Sequence, residues 1–224
     1  MMVEDANLLI LIGHYGVGKT TLAVNLAYNF VHKHHQPISL ADIDVNNPYF
    51  RSRDWLTKLE ENQVNVIMPE LEIAYAEMPF LPKGIYSAIQ NREQKLILDV
   101  GGNDVGTTVL GSLAEQIKQV PYSLYFVVNT FRPGTETKDD IIEKYHQLES
   151  ISRLQITHIL NNSNIGAYTE ASDIIESEAI VLAAAKELGV PFLGTTVESR
   201  LLEKVKDQMK ATTFPIDQID QLPW

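Results

Sequence analysis

The segment Gly13-His14-Tyr15-Gly16-Val17-Gly18-Lys19-Thr20 carries the residue types that can hold a chain of phosphates. Glycines let several backbone N–H groups turn inward around phosphate oxygens, at the positive end of a helix dipole. Lys19 adds a mobile cation for the terminal phosphates, and the Thr20 hydroxyl can ligate Mg²⁺. The segment fits the pattern G-x-x-x-x-G-K-[ST] without a mismatch. By chance the bare pattern would occur in about one percent of chains this long. Its setting strengthens the reading. The apolar run Leu8-Leu9-Ile10-Leu11-Ile12 leads in as a buried strand, and residues 21–30 lead out with helical spacing, Thr21 first. The spacing predicts a site for a nucleoside triphosphate and Mg²⁺.

Phosphate chemistry also needs a metal ion held in place and an attacking group in line. Asp99 closes the run Leu96-Ile97-Leu98 and precedes Val100-Gly101-Gly102, the pattern of a Walker-B aspartate that orders Mg²⁺ directly or through water. Gly102 would let a backbone N–H approach the terminal phosphate. Asp42 and Asp44 lie two residues apart on one side of a strand, so that one could order the metal shell and the other a water. A solvated strand end would tolerate both acids equally. Asn161 and Asn162 follow another apolar run, where their amides could pair with a base edge or simply form a turn.

The elements that must position these residues read as alternating strands and helices. Strands are expected at 8–12, 38–44, 64–68, 95–100, 122–128, 156–160 and 192–197. Helices are expected at 18–33, 54–61, from the Arg132-Pro133-Gly134 turn to about 148, at 172–188 with Gly189 as C-cap, and at 199–210. Residues 69–82, with three prolines, are the least legible. Most of the strands are continuously apolar, which argues an α/β fold with a mostly parallel sheet covered on both faces, in a single domain over 1–224. Ligands of such sheets sit at the carboxyl ends of the strands, and every polar residue singled out above lies at one.

Composition narrows the partners. The net charge is −11, so a nucleic-acid or anionic-membrane partner would need a local basic patch, and none is evident. Cysteine is absent, which excludes disulfides, thiolate-held clusters and cysteine nucleophiles. The acidic start Met1-Met2-Val3-Glu4-Asp5 does not read as a signal peptide, and no apolar run approaches the ~20 residues of a membrane helix. A cytoplasmic location is the expectation. His32-Lys33-His34-His35 suggests a metal site at first sight, but cations at a helix C-terminus have an electrostatic reason of their own.

Together the octapeptide, Ala41-Asp42-Ile43-Asp44, Leu98-Asp99-Val100-Gly101-Gly102 and Leu160-Asn161-Asn162 resemble the MinD/ParA family of SIMIBI-class P-loop nucleotidases, the broad group that includes nitrogenase iron protein and metal-center maturation ATPases. The resemblance implies the three-layer P-loop NTPase fold, with Lys19 and Asp44 catalytic. Asp44 would activate water, Asp99 would organise Mg²⁺ with Thr20 and Asp42, and an asparagine of the fourth segment would read adenine. One departure stands out. The family's signature lysine, which reaches across an ATP-sandwiched dimer, is replaced by His14, and Tyr15 stands for a usual glycine. Histidine is shorter and mostly neutral at pH 7. Arg51 or Arg53 would be the candidates for a substitute cation, and a homodimer through another surface stays open.

The absence of cysteine separates the chain from iron-protein and nickel-insertion relatives, and its charge from DNA-partitioning ones. MinD relatives end in a basic amphipathic helix. Here the stripe Leu201, Leu202, Val205 and Met209 reads as a face packed on the sheet, and the tail beyond turns acidic. The leading expectation is a slow ATPase switch acting on an unidentified protein partner. A biosynthetic ligase resembling dethiobiotin synthetase is a second class, although such ligases carry a lysine-proline segment where this chain has Asp-Ile-Asp-Val. A nucleotide-binding module with negligible hydrolysis is the third.

Overall fold

β1 (Leu8–Ile12) is buried along its whole length, as expected of a strand covered on both faces. Its side chains alternate between two cores. Leu8, Ile10 and Ile12 point into one, and Leu9 and Leu11 into the other. The computed structural model describes residues 6–43, 53–68 and 81–218. In chain order β1 is followed by α1 (Lys19–His34), β2 (Ile38–Asp42), α2 (Arg53–Glu61), β3 (Val64–Ile67), α3 (Ile85–Gln90), β4 (Lys95–Asp99), α4 (Asp104–Ser112) and α5 (Ala114–Ile117). Then come β5 (Tyr122–Val128), α6 (Lys138–Ser152), β6 (His158–Asn161), α7 (Ala171–Leu188), β7 (Phe192–Glu198), α8 (Leu202–Val205) and β8 (Thr213–Ile216).

The strands form one eight-stranded sheet in the order β3-β2-β4-β1-β5-β6-β7-β8, and the pairings are parallel. Leu110 of α4, Ile141 and Leu148 of α6 and Val181 of α7 cover one face. Leu22, Leu26 and Phe30 of α1, with Leu59 of α2, cover the other. This is the three-layer α/β fold expected from the alternating pattern. Because β1 lies between β4 and β5, the chain leaves it for opposite sides of the sheet. The crevice at the carboxyl ends there is the usual ligand position of doubly wound sheets.

Local signals fixed several boundaries. Thr137 and Asp140 form a reciprocal capping box at the start of α6, and Gly189 ends α7 in the left-handed conformation at φ 67°. His32, Lys33 and His34 fill the last turn of α1, and no metal-holding group of three or more His, Cys, Asp or Glu side chains is found among the described residues.

Three expectations need correction. The helix expected over 199–210 is a short 3₁₀ turn, Ser199–Leu201, followed by the four-residue α8. Leu201 and Val205 pack with Ile174 and Val197, but the buried Glu178 carboxylate then accepts the N–H groups of Lys210 and Ala211 and turns the chain away. β8 takes up the start of the stretch expected to be an acidic tail. It lies on the sheet edge, paired with β7, where a proline costs no ladder bond on its open side. Finally, α3, α4 and α5 carry too little helical periodicity to be read. α4 holds two glycines and β-branched residues, and α5 is a single turn.

Candidate functional site

The octapeptide leaves β1 and wraps toward the start of α1. Gly13 is pressed on β5, where a Cβ would lie 2.3 Å from the Val127 carbonyl oxygen. Gly16 and Gly18 have φ of 74° and 85°, left-handed values that glycine adopts without strain. Gly18 is also the N-cap residue of α1. It supplies no side-chain cap, and the first turn, which includes Thr21, has no acid. The first N–H groups of a sixteen-residue helix therefore face the loop's concavity with no side-chain cap, the arrangement that receives an anion. Val17 is buried and pins the loop from beneath.

Lys19 is only 7% exposed, and its ammonium donates to the carbonyls of Gly13 (3.1 Å) and His14 (3.0 Å). The cation is thus curled over its own loop, at the position a terminal phosphate would take from those carbonyls. The His14 ring lies 3.0 Å from the Tyr15 carbonyl, and Tyr15 is exposed. At the end of β4, Asp99 accepts a 2.5 Å bond from the Thr20 hydroxyl. Asp42 is its register partner at the end of β2, and both carboxylates are buried. Two buried acids and a hydroxyl form a set of hard oxygen donors. Such a set suits Mg²⁺, which takes few protein ligands and completes its octahedron from phosphate and water. Thr20 and Asp99 thus meet at the carboxyl end of β4. Asp44 and Arg51 lie outside the described residues, as does the side chain of Arg53.

Gly102, in the loop after β4, abuts the phosphate loop. A Cβ there would lie 2.5 Å from the Tyr15 Cα, 2.6 Å from its nitrogen and 2.7 Å from the Lys19 amine. No other residue fits without displacing the loop.

The two asparagines occupy a different place from the one a base reader needs. Asn161 is fully buried. Its amide nitrogen donates to Ser177 Oγ (3.0 Å) and Thr195 Oγ1 (3.4 Å), and its oxygen accepts from the Ser163 N–H and hydroxyl. Asn162 donates to the Val17 carbonyl (2.7 Å) and accepts from the Thr196 hydroxyl, and its amide nitrogen would lie 2.6 Å from a Cβ on Gly18. These amides are spent on holding the phosphate loop and the end of β6. The turn alternative was closer to this geometry than the base-pairing one.

Two residues that sequence reasoning passed over complete the rim. Arg132, in the loop after β5, donates from Nε to the Gly16 carbonyl (2.9 Å). Arg200, after β7, donates to the carbonyls of Gly166, Ala167 and Thr169 and pairs with Glu198, clamping the loop after β6. The available signal was position alone, a cation just past an apolar strand.

Comparisons with known proteins agree with this architecture. The profile of one family, described as Novel STAND NTPase 3, matches residues 1–68, which hold the phosphate loop. FtsY from Mycoplasma mycoides superposes with a TM-score of 0.59 at 18% identity, over 93% of this chain and 64% of that one. FtsY from Thermotoga maritima gives 0.59 at 19%, over 85% and 61%. The 54 kDa signal recognition particle protein from Aeropyrum pernix, in complex with GDP, gives 0.54 at 15%, over 84% and 40%. The chain spans less than two thirds of these structures. No curated protein matches its sequence. At such identities the likeness is one of fold, and the fold is that of the P-loop NTPases. The named neighbours are FtsY and a signal recognition particle protein, so the MinD/ParA resemblance rests on the motifs.

Proposed function

We propose that this chain is a Mg²⁺-dependent nucleoside triphosphatase that prefers ATP and works as a nucleotide-controlled switch on a protein partner. The observation that carries the reading is the Thr20–Asp99 bond beneath a left-handed glycine loop that curls around Lys19. Thr20 and Asp99, with Asp42 beside them, would hold Mg²⁺, which supplies charge neutralisation between the terminal phosphates. Lys19 would leave the Gly13 and His14 carbonyls for the phosphate chain. Asp44, by the family resemblance, would orient the attacking water. Asp44→Ala should then bind ATP nearly as well as the natural chain and lose turnover in a phosphate-release assay. Turnover at the unaltered rate would remove Asp44 from that role.

The preference for ATP rests on the family resemblance of the four motifs. GTP is the second reading, favoured because FlhF, a fold neighbour at 14% identity, was solved with GTP and Mg²⁺. Thermal unfolding with each nucleotide separates them. At a hundredfold excess over Kd, a ligand stabilises by about 2.7 kcal/mol, roughly 5–10 °C for a chain of this size. ATP with Mg²⁺ should give such a shift, GTP a smaller one, and Lys19→Ala almost none. A natural chain whose melt ignores both nucleotides would refute the proposal.

A further inference from the structure

Resting on that triphosphatase reading, we infer that Arg132 is the second phosphate-contacting cation of the site. It acts from within the same chain, at the rim of the phosphate loop. The side chain at position 14 is an imidazole whose ring turns back to the Tyr15 carbonyl at 3.0 Å. Arg132 stands at the rim of the same loop. Its Nε–H donates to the Gly16 carbonyl at 2.9 Å, and a Cβ on Gly16 would touch Nε and the guanidinium carbon at 3.5 Å. The planar head thus lies against the outer turn of the loop, over a glycine whose bare Cα lets it approach. Its two terminal NH₂ groups provide four more N–H donors, in the fork that matches phosphate oxygens.

The support beneath Arg132 is rigid. Its own N–H donates to the Asn129 carbonyl, and its carbonyl accepts from the Thr135 N–H and hydroxyl. Asn129 and Thr135 are buried. Asn129 Oδ1 accepts the Phe131 N–H, its Nδ2 donates to the Asn164 carbonyl, and the Ser163 hydroxyl accepts the Thr130 N–H. The turn between β5 and α6 is therefore tied to the loop after β6 on one side and to the phosphate loop on the other. Pre-organisation of this kind is what electrostatic stabilisation of a phosphoryl-transfer transition state requires.

In hydrolysis the water oxygen forms a bond to the γ-phosphorus while the bond from the bridging oxygen breaks. The electron pair stays on the β-phosphate of ADP. One of the water's two protons stays on the released phosphate as HPO₄²⁻, and the other passes to solvent. Charge therefore accumulates on the bridging and γ-oxygens. The Arg132 guanidinium would meet that charge together with the Lys19 ammonium. A single chain then carries both cations, with no requirement for a second copy.

The test compares the natural chain with Arg132→Ala and Arg132→Lys, all full length. It measures calorimetric Kd for Mg²⁺-ADP and for a Mg²⁺-bound nonhydrolysable ATP analogue, and single-turnover hydrolysis of ATP. Arg132→Ala should weaken the analogue by about 10- to 100-fold, the range of one charge-assisted hydrogen bond, while ADP binding changes by less than about threefold. Single-turnover hydrolysis should fall by roughly 100-fold or more, as for other phosphoryl-transfer arginines. Arg132→Lys should recover part of the analogue binding and little of the rate, because an ammonium lacks the fork. Equal weakening of ADP and analogue would overturn the inference, since a residue that only braces Gly16 disturbs both alike. Unchanged analogue binding and hydrolysis in either variant would overturn it as well. A natural chain that binds neither nucleotide, and melts like Lys19→Ala, would instead reject the triphosphatase reading on which it rests.

Discussion

Asp99 and Asp42 sit side by side at the ends of neighbouring strands, 2% and 5% exposed, with the Thr20 hydroxyl on Asp99. Two carboxylates in so dry a place are stabilised by a cation, so their strongest linkage should be to the metal. Asp99→Ala is expected to raise the Mg²⁺ concentration that gives half of the ATP-dependent thermal shift by about tenfold or more. The shift at saturating Mg²⁺ should fall less. A Mg²⁺ titration of the melting temperature reads this directly, and an unchanged midpoint would remove Asp99 from the metal site. Gly102 shows the same scale from the steric side. There the space for one methyl is filled by the Tyr15 backbone and the Lys19 amine.

Helix packing behind the site depends on close approach. Gly111 of α4 faces the end of α6, where a Cβ would lie 2.6 Å from the Ile151 carbonyl oxygen. α4 follows the Gly101-Gly102 segment, with Asn103 as its N-cap accepting the Gly106 N–H at 2.8 Å. Pushing α4 outward would pull on the loop that carries Gly102. Gly111→Ala should therefore destabilise the fold by about 1–3 kcal/mol, as overpacking does, although alanine is the better helix former. Urea unfolding with an unchanged slope would measure it. A stabilised Gly111→Ala protein would show that helix propensity outweighs the contact. The residues of α4 offer no periodic signal for any of this, because a helix packed by glycine hides its contact face from hydropathy.

For the whole molecule the decisive quantity is the number of cations at the phosphates. In the resembled family one of them arrives from a second copy. Here His14 stands in that place, and one missing charge-assisted contact removes roughly 1.5–3 kcal/mol per subunit. Such a loss weakens association by about one to two powers of ten per contact. ATP with Mg²⁺ should accordingly leave the molar mass in light scattering unchanged, tested on Asp44→Ala so that ATP persists. A monomer that becomes a dimer only with ATP would overturn this and place a cation from Arg51, Arg53 or His14 across the interface. Among the described residues no helix is long and apolar enough to cross a membrane.

By itself the sequence determined the phosphate loop, the alternation of buried strands and helices, and the place of Asp99 at the end of β4. These follow from local rules: glycine where the backbone turns left-handed, a lysine and threonine at a helix start, and an acid ending an apolar run. Tertiary structure alone decided which loops touch the phosphate loop. Thr20 meets Asp99 across 79 residues, Arg132 meets Gly16 across 116 and Asn162 meets Val17 across 145. Strand order brings those segments together, and order in a parallel sheet is set by how crossovers pack, which leaves no local trace in residue type. The fate of Asn161 and Asn162 was decided in the same way. An amide at a strand end can face a base or the protein, and Ser177, Thr195, Thr196 and the Val17 carbonyl, all remote in sequence, turned it inward.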